Sequence, residues 1–304
     1  MMGRTAAVLR NTAGLLIAAA AVAWTVKATG GAGFSLVLRA CVSLPCVLAS
    51  AALLAGSTFV RSLVYPCGLA REMPVPAAWK VVAVGNAANL LLPFHAGEGV
   101  RFALFPKGTR AAERLRLLLF PGILDIAVIL ILSMAAVPLA GFRDPVLLRL
   151  LRLAAVGFPG VCLLLLAVLL CIPAARGEVL RYLDGAGLRA GLWVALSWAL
   201  VLLSNWMGVL ALGYRPEDAA EIAAAVFAAT GLAMLVPSSP GGIGVYEYAV
   251  VAGLGGLGVP ADAAGLVGVT LHFVQYLALL PLGAALYFLP SGGFHPARRK
   301  PSAR

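Results

Sequence analysis

Nine apolar runs, at approximately 12–30, 41–64, 77–93, 117–140, 146–173, 190–213, 219–236, 243–258 and 263–289, leave almost no chain from which a water-soluble core could be built. Crossing a hydrocarbon core of roughly 30 Å takes about 20 apolar residues in a helix. Six of the runs qualify as full crossings. Those at 77–93, 219–236 and 243–258 are short, rich in Ala and Gly, and bounded by Pro or charge. Such segments suit re-entrant or broken helices better than complete spans. The composition agrees: 62% of residues are hydrophobic, 12% are charged, and the mean hydropathy is +0.99. A soluble domain carries about twice that charged fraction. The expected fold is an all-α polytopic membrane protein with about six full spans plus two re-entrant or broken-helix hairpins. It forms a single transmembrane domain over 1–290 with a basic tail at 291–304.

The net charge of +11 would suggest nucleic acid in a soluble protein. Here the basic residues lie at the ends of apolar runs, where they report topology and attract anionic lipid. With the N-terminus inside and the short segments returning to their own side, the inner loops hold 17 of the 23 basic residues and the outer loops 6. The expected placement is therefore the cytoplasmic membrane, multi-pass, with both termini inside. Residues 65–76 and 174–189 are then inner, 141–145 and 214–218 outer. No nucleic-acid partner is expected. The five cysteines, Cys41, Cys46, Cys67, Cys162 and Cys171, form no CxxC pair. The three histidines, His95, His272 and His295, form no HExxH or comparable ligand set. No metal or other cofactor is expected.

Residues 41–140 and 190–289 follow one plan. Each begins with a long run and passes a Pro-containing loop into a short Ala-rich helix. A Pro/Gly turn ending in glutamate follows, then a further Pro and a second long run. Three crossings separate the two starts, so the halves point in opposite directions, as in inverted-repeat transporters.

Two stretches concentrate the chemistry. The first is 85-GNAANLLLPFHAGEGVR-101. Pro93 ends a helix, Gly97 and Gly99 permit turns, and Glu98 and Arg101 lie three apart on one face, as do Asn86 and Asn89. The second is 236-VPSSPGGIGVYEYAV-250. Pro237 and Pro240 with Gly241, Gly242 and Gly244 break the helix, and Glu247 opens the next one. Exposed N–H groups of such a glycine turn could hold a phosphate. For each glutamate the plain alternative stands beside the functional one: Glu98 pairing with Arg101 at a loop, and Glu247 as an acid favoured by a helix start. Asp125 is a third candidate, because an acid inside a span is costly. Asn205, His272 and Gln275 are the other polar residues in apolar runs. Trp193, Trp198 and Tyr287 read as interface anchors.

The pair N-x3-P…GE-x2-R and P-x2-PGGIG-x2-E resembles the membrane region of lysylphosphatidylglycerol synthase and its stand-alone, flippase-like relatives, over roughly residues 10 to 290. The resemblance implies translocation of a lipid with a large polar headgroup. Its functional candidates are Asn89, Pro93, Gly97, Glu98, Arg101, Pro237, Gly241, Gly242, Gly244 and Glu247. His95 stands where relatives often have arginine. Pro121 and Gly122 stand before Asp125 where relatives often show Glu-Arg. A soluble aminoacyl-transferase domain is not seen in this sequence, so the resemblance is not expected to extend to lysyl-lipid synthesis, and an enzyme is not expected. The expected partners are membrane lipids with phosphate-bearing headgroups. Two alternatives are carried: a non-catalytic membrane partner of a glycosyltransferase or lipid-modifying enzyme, and an intramembrane enzyme acting on a lipid phosphate.

Overall fold

The computed structural model describes residues 43–106, 108–139, 185–233 and 239–289, with isolated helical positions at 149, 153, 157, 160 and 171. Among them there are eight α-helices and no strand. They are α1 (Leu44–Ser62, continued by a π-turn at Tyr65–Leu69), α2 (Val75–Leu91), α3 (Gly97–Leu104), α4 (Ala111–Leu139), α5 (Gly185–Leu210), α6 (Pro216–Ala233), α7 (Val245–Gly255) and α8 (Ala261–Phe288). Four segments are long and apolar enough to cross a membrane: Leu44–Leu69, Ala111–Ala135, Gly185–Leu210 and Ala261–Phe288. The expected spans at 12–30 and 146–173 lie outside the described residues, apart from the isolated positions, as does the tail. The short helix α3 is an addition to the sequence reading, which left those residues in a turn.

Proline places several helix starts. Pro45, Pro76 and Pro216 sit in the first turns of α1, α2 and α6. An N–H there has no intrahelical acceptor in any case, so its absence is harmless. Alanine sets how closely α6 can be enclosed. Ala219, Ala223, Ala224, Ala225 and Ala228 are all buried, and α6 packs against α4, α5 and α7 at once. Small side chains allow such approach where no hydrophobic force separates helix from lipid.

The features shared by the two halves become matching elements. Helix α1 corresponds to α5, α2 to α6, α3 to α7 and α4 to α8. Packing follows the exchange: α2 lies on α8 as α6 lies on α4, and α1 lies on α5. The α1–α5 pair is antiparallel. Ser43 N–H at one end donates to Ala211 O at 2.9 Å. Midway, Ser50 and Ser204 each donate to the other's carbonyl, at 2.7 and 2.8 Å, with their Oγ atoms 3.1 Å apart. At the far end Arg189 Nε donates to Cys67 O at 3.1 Å. Equivalent helices running in opposite directions are the mark of an inverted repeat.

This arrangement sends the two hairpins in from opposite ends. Helix α2 starts beside the end of α8, where Lys80 Nζ donates to Leu289 O at 2.8 Å. It stops where Leu90 packs with Val47, Leu54, Val274 and Leu279, and Val274 lies halfway along α8. Helix α6 starts at the opposite end of the bundle, beyond Ala211, and reaches α4 with Gly231 against Ile129 and Ser133. The two tips meet: Gly241 lies so close to Leu90 O that an added Cβ would sit 3.1 Å from it. In a background lacking the native cysteines, Ser50→Cys/Ser204→Cys should cross-link under mild oxidation, because the touching hydroxyls put the β-carbons within bridging reach. Ser50→Cys/Arg189→Cys should not. A gel-shift assay reads both, and the reverse pattern would contradict the antiparallel register.

Candidate functional site

The first hairpin is held by a ladder of polar side chains. Asn86 and Asn89 project from α2, and Glu98 and Arg101 from α3. Glu98 Oε1 accepts from Asn89 Nδ2 at 3.1 Å and pairs with Arg101 Nη1 at 2.7 Å. Arg101 Nη2 donates to Asn86 Oδ1. The two three-residue spacings seen in the sequence are thus one unit across the hairpin. Glycine makes the approach feasible. A Cβ on Gly97 would overlap Asn89 and Gly85 O, and one on Gly85 would overlap the Arg101 stem. Pro93 O accepts from Ala96 N–H at 3.1 Å within the turn. Phe94 and His95 take φ of 56° and 54°, a left-handed conformation that costs non-glycine residues on the order of 1 kcal/mol each. Gly99 has open space where a Cβ would sit.

The second hairpin is closed differently. Gly241, Gly242 and Gly244 have φ of 63°, 73° and 85°, conformations that L side chains resist. Glu247 Oε2 accepts from Gly244 N–H at 2.6 Å, and its Oε1 lies 2.5 Å from His272 Nδ1 on α8. His272 Nε2 lies 3.0 Å from Gly241 O. A carbonyl only accepts, so Nε2 carries a proton. Nδ1 and Oε1 share one more, and the pair is net neutral wherever that proton sits. Glu247 is therefore a buried latch on the glycine turn, 8% exposed. The turn's amides are also in use: Gly242 N–H donates to Ser239 O at 2.9 Å and Ile243 N–H to Pro240 O at 3.3 Å. The phosphate cradle expected from the glycine run is not formed by these three amides, because each already has an acceptor. Pro237 lies outside the described residues.

Asp125 belongs to a third polar unit that the sequence reading missed. Arg61 on α1 grips it with two bonds, Nη2–Oδ2 at 2.5 Å and Nε–Oδ1 at 3.1 Å. Trp198 Nε1 on α5 adds a third, to Oδ1 at 3.0 Å. A two-pronged guanidinium–carboxylate contact is both strong and directional. Trp198 is therefore not an interface anchor: its N–H is committed to an acid in the interior, and its ring meets Phe227 edge-on at 5.9 Å. The signal available in the sequence was Arg61 itself, a charge within an apolar run, which reads equally well as a topology marker.

These units surround a cavity of about 520 Å³ at the meeting of the hairpin tips. Asn89, His95, Glu98 and Arg101 line it from the first hairpin, Gly241 and Gly242 from the second. Arg61, Asp125, Trp198 and Asn205 face it from α1, α4 and α5. Glu247 stands behind Gly241 and Gly242, not among the lining residues. No group of His, Cys, Asp and Glu suited to a metal ion occurs among the described residues.

Two opposed hairpins meeting at a polar cavity inside a bundle of apolar helices define an all-helical polytopic membrane protein. Sequence comparison gives the family: residues 11–283 match the lysylphosphatidylglycerol synthase TM region, and the chain belongs to that family. Its membership and its spans make it a multi-pass membrane protein with a lipid-related function. No curated protein and no solved structure matches it.

The latch yields a stability prediction. Glu247→Gln can still accept from Gly244 N–H and donate to His272 Nδ1, so its thermal midpoint in detergent should stay close to wild type. Glu247→Ala strands the Gly244 N–H and should cost about 1–3 kcal/mol. Equal midpoints for the two variants would show that the turn does not depend on this carboxylate.

Proposed function

We propose that this chain moves lipid between the leaflets of the cytoplasmic membrane, passing the headgroup through the central cavity while the acyl chains stay in hydrocarbon. One observation carries the reading: the tips of two hairpins entering from opposite ends meet at a polar cavity, lined by paired charges, deep within apolar helices. Polar groups at that depth are costly, which favours a functional use. The inverted repeat supplies a way to alternate, since either hairpin can yield while the other stays closed. The reading includes no covalent step. It places the end carrying residues 65–76 and the start of α5 on the cytoplasmic side, following the basic-residue bias. A phosphate-bearing headgroup, as the sequence suggested, would meet two arginines here, each already paired with an acid.

The test is leaflet exchange of a fluorescent lipid in proteoliposomes. Wild type should exceed protein-free liposomes. Ser57→Phe puts a ring into the cavity without changing charge and should slow exchange about tenfold or more, since a filled site loses both binding and passage. Leu188→Phe, on the outward face of α5, should match wild type at equal reconstitution. Exchange no faster than in empty liposomes, or unaffected by Ser57→Phe, would reject the reading.

A further inference from the structure

We infer that the cavity selects an uncharged, hydroxyl-rich lipid headgroup, such as a glycosyl or polyol group, over an anionic or cationic one. The inference deepens the translocation reading and rests on it. Charge comes first. Arg61 is matched by Asp125, and Arg101 by Glu98. The neighbouring Glu247–His272 pair is net neutral. Among the described lining residues no arginine lacks an acid for a phosphodiester, and no acid lacks an arginine for an ammonium group. A charged headgroup would have to break an existing pair or enter uncompensated, and an isolated charge in such a place is strongly disfavoured.

The polarity of the hydrogen bonds points the same way. Ser57 Oγ donates to Leu54 O, Ser197 Oγ to Val194 O, and Thr230 Oγ1 to Val226 O, each at 2.7 Å. Their single protons are committed to their own helices, so these three lining hydroxyls face a ligand as acceptors. A phosphate, which only accepts, gains nothing from these three hydroxyls. A donor is present too, in the Asn205 carboxamide. Acceptors and donors around a space whose arginines and acids are matched suit a ligand whose groups do both, and the hydroxyl is the group that does so without charge. Trp198 and Phe227 add aromatic surface to the same wall, against which the C–H face of a sugar ring can rest.

The test offers the purified protein equimolar monoglucosyl diacylglycerol, phosphatidylglycerol and phosphatidylethanolamine with identical acyl chains, and reads retained lipid by native mass spectrometry. The glucosyl lipid should be retained about tenfold over either phospholipid. Asn205→Leu and Thr230→Val conserve volume and remove polar groups. Each should lower that preference about fivefold with an unchanged melting midpoint. Preference for phosphatidylglycerol would overturn the inference in favour of an anion site, and preference for phosphatidylethanolamine in favour of an ammonium site. Equal retention would overturn it outright. The same three lipids in the leaflet-exchange assay separate the two claims. Glucosyl lipid retained but not moved leaves the headgroup assignment standing and rejects translocation. Phosphatidylglycerol retained and moved does the reverse.

Discussion

A chain that reverses direction inside hydrocarbon must find partners for every backbone group the reversal exposes, because lipid supplies none. The rest of this structure is arranged around that requirement. At the second turn Glu247 takes the Gly244 N–H and His272 takes the Gly241 carbonyl, with one proton shared between the two side chains. At the first turn a ladder of Asn86, Asn89, Glu98 and Arg101 ties α3 back onto α2. The two solutions occupy equivalent places in an inverted repeat, yet they differ in consequence. Glu98 is left at the cavity wall, whereas Glu247 is sealed behind its turn. Glutamates that look like counterparts in the sequence therefore have different roles: one faces whatever enters the cavity, and the other positions the glycines that do.

Charge neutrality follows from the same physics. Among the described residues lining the cavity, each arginine is joined to an acid within hydrogen-bonding distance, since an unpaired charge there would be expelled or would neutralise itself. The Arg61–Asp125–Trp198 unit ties together α1, α4 and α5, three of the four described spans. The pairs thus brace the bundle and set the character of the space between them. A cavity whose arginines and acids are already matched is polar without a strong attraction for ions, and under the proposed translocation that property would govern which headgroups it accommodates.

Much of the architecture was legible from the distribution of apolar runs and of proline and glycine. The six-feature plan of long run, loop, short helix, turn, further proline and long run determines the order of α1–α4 and α5–α8. Antiparallel pairing of the halves follows from the odd number of crossings between them. The existence of α3 was harder to see, because eight residues containing two glycines and a charge pair carry a weak helical signal. Side-chain partners across helices were not legible. Arg61 and Asp125 are 64 residues apart, and nothing in either local sequence selects the other. Trp198 gave the same local signal as an interface tryptophan, and only the packing of α5 against α4 separates the two. The commitment of the Gly242, Ile243 and Gly244 amides was not legible for a related reason: whether an amide is free depends on what folds over it, and here Glu247 and the turn's own carbonyls do.

Under the proposed function the hairpin tips meet around a cavity that receives a lipid headgroup. Electron cryomicroscopy of the protein in nanodiscs made with glucosyl diacylglycerol tests it most directly. The account predicts Gly241 beside Leu90 and headgroup density between Trp198, Asn89 and Gly242, with the acyl chains leading outward between helices. Hairpin tips at opposite membrane faces, or a cavity closed by packed side chains with lipid bound only at the perimeter, would contradict it.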